Sequence, residues 1–248
     1  MSTQPDFETC FHFVSSEAQH MPRPTVFDNH HQRFAITISR QTGSGAHCVA
    51  EALARYLQAR TTQDSPVWTV FDKNLVEKVL EEHNLPPRMA RFMPEDRVPE
   101  LTDALDELLG VHPPIWSLVE RTAATIRRLA DRGNVILIGR GAHAITSKLE
   151  QVFHVRLVGS LERRVQHIGQ LRGLTHREAL ALVVHEDCGR QRYLKKYFGK
   201  DLDDPLAYHL TVNTDVVPYE EAAQLIGHVA LRRFQATGQD SRPSAVGS

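Results

Sequence analysis

Cysteine is scarce in this chain of 248 residues, which carries only Cys10, Cys48 and Cys188. Three scattered thiols cannot form the disulfide framework of a small secreted domain, and they are typical of a reducing cytoplasm. No segment approaches about 18 consecutive apolar residues, so no transmembrane helix is expected. The net charge of −1 provides no overall positive field that would recruit a nucleic-acid polymer or an anionic membrane. The first residues also lack the basic-then-apolar layout of a secretory signal. We therefore expect a cytoplasmic protein.

A second absence concerns the segment from Ile36 to Ala54, whose pattern predicts a strand, a glycine turn and a helix. It matches the frame of the phosphate-binding loop G-x-x-x-x-G-K-[ST], in which the lysine reaches the β- and γ-phosphates and the hydroxyl binds Mg²⁺. Here Arg40 replaces the first glycine, Ala46 replaces the lysine and His47 replaces the hydroxyl residue. The loop frame is therefore present without two of its chemical groups.

The turn itself still has features that suit phosphate. Gly43 and Gly45 allow backbone N–H groups to approach an anion, and a helix amino terminus adds about half a positive charge. The alternative is an ordinary strand-to-helix turn in which the glycines only shape the backbone. Because the turn joins the first strand directly to a helix, we favour phosphate binding, with Ser44, Ala46 and His47 as the neighbouring residues.

The rest of the chain alternates strands and helices. Strands are predicted at residues 34–39, 67–71, 135–138, 152–158 and 209–213. Helices are predicted after Gly45, over 73–82, 116–131 and 219–234, after a possible Ser160 cap, and from the capping box of Thr175 and Glu178 to about Phe198. This alternation predicts an α/β fold with a doubly wound, five-stranded, mostly parallel sheet. Ligands of such sheets bind at the carboxyl ends of the strands, here just after residues 39, 71, 139 and 213.

The domain boundaries follow from composition. Residues 1–33 and 235–248 are polar and lack periodicity, so we expect flexible tails around one domain at 34–234. The pair His30–His31 could bind a metal, but a solvated tail is the better interpretation. A proline-punctuated stretch within 72–115 contains one amphipathic segment, Leu101 to Leu109.

Several arginines follow the later strands. Arg140 follows the third strand, where it can either grip a phosphate bidentately or pair with a local carboxylate. Arg164 begins a helix, and Asp187 and Arg190 belong to a basic–acidic helix. These charges suit either a solvated face or a mobile lid over a transferring phosphoryl group. A zinc site at 185–188 is not expected, because consecutive residues point to different faces of a helix.

Five segments in this order resemble the cytidylate kinase-like group of nucleoside monophosphate kinases over roughly residues 34–234. The first, Ile36-Thr-Ile-Ser-Arg-Gln-Thr-Gly-Ser-Gly-Ala46, is similar to I-x-I-S-R-x-x-G-S-G-G, and this group often lacks the loop lysine. The others are 71–75, 135–142, the spacing Asp187-x-x-Arg190-x-x-Tyr193-x-x-x-Tyr197-x-Gly199, and 208–214. The resemblance implies a P-loop nucleoside monophosphate kinase-like fold with a helical acceptor-binding insert at about 72–115 and a lid at about 173–205.

The resemblance also implies an activity, the transfer of a phosphoryl group from ATP, with Mg²⁺, to a nucleoside monophosphate such as CMP. It assigns Gly43, Ser44 and Gly45, with Ala46 and His47, to the donor phosphates. Substrate-binding positions are Asp72, Arg140 and Asp187, and Arg164 and Arg190 would clamp the reacting phosphoryl group. We interpret Arg40 as a substitute for the missing lysine, and we assign no residue as a metal ligand.

The departures from the group leave other functions open. Gly139-Arg140-Gly141 replaces the G-R-D of cytidylate kinases proper, so an acidic group near the metal is absent, and the thiol of Cys48 is a poor Mg²⁺ ligand. Losing one preorganised donor costs roughly 10²–10³ in rate. The chain could therefore be a catalytically weak or inactive nucleotide-binding sensor or partner module, or a small-molecule kinase with a non-nucleotide acceptor. Nothing in the sequence indicates an oligomeric state.

Overall fold

The structure, a computed structural model, describes residues 33–61, 65–72, 74–87, 90 and 115–239. The expected amino-terminal tail apart from Arg33, the segment Leu101 to Leu109, most of the expected acceptor-binding insert, and the tail from residue 240 lie outside the described residues. Within the described ranges, none of the helices combines the length and apolar character needed to cross a bilayer.

A five-stranded parallel sheet forms the centre of the fold, as predicted. Its strands are β1 (Ala35–Arg40), β2 (Thr69–Phe71), β3 (Val135–Ile138), β4 (Val152–Val158) and β5 (Leu210–Asn213). Their order across the sheet is β2-β3-β1-β4-β5, and all four neighbouring pairs are parallel. Because β1 lies between β3 and β4, its carboxyl end, where the glycine turn begins, is at the middle of the ligand-binding edge.

Seven α-helices connect and flank the described strands. They are α1 (Ala46–Gln58), α2 (Asn74–Glu82), α3 (Ile115–Arg132), α4 (Ala142–Ile145), α5 (Leu161–Arg172), α6 (His176–Phe198) and α7 (Tyr219–Gln239), with a 3₁₀ turn at Pro205–Ala207. The predicted capping box is confirmed, since the Thr175 side chain accepts the Glu178 N–H and the Glu178 carboxylate accepts the Thr175 N–H. The short helix α4 was not predicted.

Apolar cores lie on both faces of the sheet, which confirms the doubly wound class. Ile36 and Ile38 of β1 pack with α1 and α7 on one face of the sheet. Ala35, on the opposite face, packs with α3 and α4. The predicted apolar face of α1, at Val49, Leu53 and Leu57, is fully buried. Helices α5 and α6 pair through a separate cluster of Val165, Ile168, Ala179 and Val183.

Three local expectations differ from the structure. Ser160 occupies the cap position of α5, but its side chain makes no capping bond; instead its N–H donates to Asp215 Oδ2 at 2.7 Å. Strand β2 begins at Thr69 rather than at residue 67, because the Trp68 N–H donates to the Gln58 side chain instead of to a neighbouring strand. Helix α7 extends to Gln239, five residues beyond the end predicted at residue 234.

A buried histidine on β4 makes stability depend on pH. Burial, followed by the nearby charges of His209, His143 and Arg233, lowers the pKa of His154 to about 3, and its Nδ1 lies 2.8 Å from Thr37 Oγ1. The unfolded chain would bind a proton near the ordinary pKa of about 6.5, whereas the folded protein resists protonation until about pH 3. The contribution of His154 to the free energy of unfolding should therefore be fully present above about pH 7, and it should be lost progressively as the pH falls toward 3. The expected loss from this group is about 2 kcal/mol at pH 5.

Urea unfolding at pH 7.5 and at pH 5 checks this prediction, with His154→Gln as the comparison. The variant should lose less unfolding free energy between the two pH values, because glutamine does not titrate. An equal loss in both proteins would assign the acid sensitivity to other groups.

Candidate active site at the glycine turn

The glycine turn after β1 has the compact backbone that the sequence predicts. Gly43 and Gly45 have φ angles of 84° and 78°, a left-handed conformation that favours glycine. The N–H and the hydroxyl of Ser44 both donate to the Gln41 carbonyl, at 3.2 and 2.8 Å. These bonds fold the turn back on itself immediately before α1 begins.

Both glycines are also needed for close approach. A Cβ at Gly43 would lie 2.5 Å from the backbone carbonyl oxygen of Arg164, and a Cβ at Gly45 would overlap the ring of Tyr219. The turn is therefore pressed between α5 and the first residue of α7. The sequence pattern accounts for these glycines by phosphate approach or by the shape of the turn, and it does not reveal their close contacts with Arg164 and Tyr219.

The amino terminus of α1 presents N–H groups at the turn. No hydrogen-bond acceptor in the part of the chain that the structure describes pairs with the amides of Ala46, His47 and Cys48. The first intrahelical bond is from the Val49 N–H to the Gly45 carbonyl, at 3.0 Å. Unpaired amides at the positive end of a helix form an anion-binding site, so the turn can accept phosphate oxygens without the loop lysine.

The hydroxyl position of the phosphate loop is occupied by an exposed imidazole. His47 Nε2 lies 3.1 Å from Glu51 Oε1, and His47 Nδ1 lies 3.9 Å from Asp72 Oδ2. Asp72 follows β2 and His47 follows β1, so the structure brings together two predicted site residues from strands that β3 separates in the sheet. No group of three or more histidine, cysteine, aspartate or glutamate side chains suited to a metal ion occurs among the described residues.

A largely buried cluster of charged and hydrogen-bonding residues joins the turn to α5 and α6, and we call it the lid clasp. Its members are Thr42, Arg164, Glu186, Asp187 and Arg190. Asp187 accepts from Arg164 Nη1 at 2.7 Å and from Arg190 Nη1 at 3.0 Å. Arg190 Nη2 also donates to Glu186 Oε2 at 2.8 Å. The structure thus brings together three predicted site residues, Arg164, Asp187 and Arg190, and buries both guanidinium groups in ion pairs.

Two members of the lid clasp were missed by sequence reasoning. Glu186 lies four residues before Arg190, a spacing that pairs opposite charges on one helix face, so this contact had a detectable signal. Thr42 had none, because its partners lie more than 120 residues away in sequence. The predicted catalytic roles of Arg164 and Arg190 and the predicted substrate contact of Asp187 remain predictions.

Arg140 follows β3 in a strained turn. It has a φ of 55°, and it lies between Gly139 and Gly141, which also have positive φ angles. A left-handed conformation at a residue other than glycine costs of order 1–3 kcal/mol and is concentrated at functional sites. This strain supports the expectation that Arg140 contacts a ligand. Arg40, the last residue of β1, is half-buried, and its role as a lysine substitute stays a prediction.

A buried polar network supports the turn that contains Arg140. His143, in the first turn of α4, has its Nδ1 2.9 Å from the Ser39 hydroxyl and its Nε2 3.4 Å from the Tyr208 hydroxyl. The Tyr208 hydroxyl also donates to the Leu202 carbonyl at 2.9 Å, and burial raises the pKa of this phenol. The network connects the end of β1, the start of α4 and the segment that follows α6.

A pocket of about 240 Å³ lies on the other side of the turn. It extends from Gly43 to the residues after β5, which is one of the four strand ends where the sequence predicted ligands. Tyr219 and His167 form part of its wall and are joined by a 2.8 Å hydrogen bond. The remaining lining residues are Arg163, Arg164, Gln166, Gln170, Thr214 and Asp215.

Comparisons with known proteins found similarity in sequence and in fold. A cytidylate kinase from Aeropyrum pernix is 30% identical over 106 residues, which are 42% of this chain and 60% of that protein. The chain therefore matches less than two thirds of its curated relative. An uncharacterised protein from Eubacterium ventriosum has a similar structure, with a TM-score of 0.55 and 19% identity over 85% of this chain and all of that one. A gluconokinase from Sinorhizobium meliloti has a TM-score of 0.49 and 16% sequence identity, over 85% of this chain and all of that one.

A match to a protein-family model covers most of the chain and identifies the family. The sequence model of the cytidylate kinase-like family aligns with residues 35–216, from the start of β1 to just beyond β5. This range contains the glycine turn, Arg140 and the whole lid clasp. The chain belongs to the cytidylate kinase-like family.

Proposed function

We propose that the protein is a phosphotransferase that moves a phosphoryl group from ATP to a nucleoside monophosphate, CMP being the first candidate. The proposal rests on the contact between the glycine turn and two buried arginines. Arg164 and Arg190 both donate hydrogen bonds to Thr42, the residue before Gly43. Catalysis of phosphoryl transfer consists almost entirely of positioning and charge stabilisation. A turn of backbone donors beside two guanidinium groups supplies both.

The donor nucleotide would bind across the turn. The free amides of α1 would hold its phosphates, and the pocket between Tyr219 and α5 would hold its base. Arg164 lies next to the glycine turn, where it donates to the Thr42 carbonyl, and it also lines the pocket. This single residue would therefore contact the donor near the transferred group.

The acceptor would bind on the β2–β3 side of the turn, with its phosphate on Arg140. Asp72 supplies a carboxylate oxygen beside His47, a hard ligand of the kind that Mg²⁺ prefers. The ion would be held there mainly by substrate phosphates and water, and when bound it neutralises phosphate charge.

One observation favours a second function, a nucleotide-binding sensor. The lysine position is alanine, and Arg164 and Arg190 are already neutralised by Asp187 and Glu186. A site in which these ion pairs persist would bind nucleotide without transferring phosphate.

An assay of ATP with CMP, dCMP and UMP in the presence of Mg²⁺ separates the two functions. We expect ADP formation that depends on at least one of these acceptors. Arg140→Lys keeps the charge but loses the bidentate fork, so it should raise the acceptor KM by about 10- to 100-fold and leave the ATP KM unchanged. Measurable ATP binding with no turnover for any acceptor would contradict the kinase function and support the sensor.

A further inference from the structure

Thr42 makes more contacts with α5 and α6 than any role assigned to the turn requires. We call these two helices the lid helices, and of the two only α6 lies within the lid expected at about 173–205. Its side chain is buried, with only 4% of the residue exposed. The Thr42 N–H donates to Asp187 Oδ1 at 2.7 Å, and its hydroxyl donates to the same oxygen at 2.8 Å. The hydroxyl also accepts from Arg190 Nη1 at 2.5 Å, and the Thr42 carbonyl accepts from Arg164 Nη1 at 3.0 Å. Glu186 Oε2, at 3.2 Å from the hydroxyl, is a second and more distant acceptor. Three polar groups of one residue thus contact four residues of α5 and α6.

We propose that Thr42 is a positioning residue that couples the lid helices to the phosphate-binding turn, so that the turn and the two arginines open and close as one unit. The catalytic consequence rests on the proposed phosphotransferase function. The coupling itself does not, because it is a property of the protein without substrate.

The physical basis is the position of Asp187. Its carboxylate lies between Arg164 and Arg190, so moving it would displace both guanidinium groups. Two donors of Thr42 converge on one oxygen of that carboxylate, and therefore Thr42 sets where the carboxylate sits relative to Gly43. Hydrogen bonds to charged groups are the stronger class, and an unpaired buried partner is costly. Opening the lid while leaving the turn in place would break all of these bonds together.

A hydroxyl is essential to this arrangement, because it accepts from Arg190 and donates to Asp187 at the same time. Thr42→Val has nearly the same shape and can do neither. Thr42→Ser keeps the hydroxyl and loses only a methyl group. The pair of variants therefore separates the hydrogen bonds from the packing.

Amide hydrogen exchange of the full chain without nucleotide tests the coupling. In Thr42→Val, exchange should rise by about 10- to 100-fold in two places together, the hydrogen-bonded turn amides of Gln41, Thr42 and Ser44 and the lid helix at 183–193. Exchange in β3, at 135–138, should remain unchanged, and Thr42→Ser should restore slow exchange in both segments. Unchanged exchange in the lid helix, or a uniform rise over the whole chain, would overturn the proposal.

Steady-state kinetics on the same proteins test the catalytic consequence. Thr42→Val should lower kcat at least about tenfold with a smaller change in the ATP KM, because ATP can still bind the turn amides while the arginines lose their position. Thr42→Ser should recover most of kcat. An unchanged kcat in Thr42→Val would overturn the catalytic part. If the unmodified protein has no turnover, the proposed function fails, but the exchange measurement still decides the coupling.

Asp187→Asn provides a second test should Thr42→Val not fold. It keeps the shape of the carboxylate and weakens the same contacts from the lid side. The same paired rise in exchange, at the turn amides of Gln41, Thr42 and Ser44 and in the helix at 183–193, supports the coupling, and a rise confined to one of the two places contradicts it.

Discussion

Replacing Gly43 by alanine should lower the unfolding free energy and nearly abolish phosphoryl transfer. Alanine at a φ of 84° is strained by about 1–2 kcal/mol. In addition, its Cβ would lie 2.5 Å from the Arg164 carbonyl oxygen, a backbone atom that cannot rotate away. The turn or α5 must therefore move, which adds about 1–3 kcal/mol. A displacement of about 1 Å at a catalytic site can cost roughly 10² in rate.

Gly173→Ala is the matched control for this substitution. Gly173 ends α5 with a φ of 66°, but a Cβ there would meet no atom within 4 Å. It should show the conformational strain alone, with a loss of about 1–2 kcal/mol. Denaturant unfolding and the ATP-dependent assay compare the two variants. Equal destabilisation would mean that the close approach between the turn and α5 contributes nothing.

Replacing Arg190 by methionine should destabilise the protein by about 3–5 kcal/mol, because removing one partner leaves buried carboxylates without compensation. Only 8% of Arg190 is exposed, and its guanidinium contacts Glu186, Asp187 and Thr42. Activity should fall as well, since one of the two guanidinium groups beside the turn is removed and the turn keeps only its Asp187 and Glu186 contacts with α6. Chemical denaturation at pH 7.5 measures the stability change.

An exposed ion pair of similar geometry provides the control. Arg55 Nη2 lies 2.9 Å from Glu220 Oε1, with both side chains largely exposed. Arg55→Met should cost less than about 1 kcal/mol, because water already screens the pair. Adding Glu186→Gln to Arg190→Met should recover part of the loss by removing one buried charge. If Arg190→Met and Arg55→Met had equal effects, the lid clasp would be energetically unimportant.

The elements that sequence reasoning located well depend on neighbours along the chain. The buried face of α1 at Val49, Leu53 and Leu57 follows from helical periodicity, and the capping box of Thr175 and Glu178 spans three residues. The glycine turn was recognisable for the same reason, since a strand, two glycines and a helix are contiguous. Periodicity did not reveal α4, because a single helical turn is too short to show a period.

The candidate site was predicted as a set of residues but not as an arrangement. Arg164, Asp187 and Arg190 were identified, yet their burial in mutual ion pairs depends on α5 packing against α6. The support of Arg140 by His143 depends on Ser39, a residue 104 positions away. The residue before α5 is likewise held from a distance, since the Ser160 N–H donates to Asp215 after β5.

By itself, the sequence determined the α/β class, the glycine turn between a strand and a helix, and the absence of the loop lysine, because short-range periodicity and residue chemistry encode these features. Only the tertiary structure decided the strand order, which sets β1 between β3 and β4 and brings α5 and α6 onto the turn. It also revealed that Gly43 and Gly45 are needed for contact with Arg164 and Tyr219. The physical reason is distance along the chain: contacts between residues more than 100 positions apart arise from the packing of whole elements, and no local pattern records them.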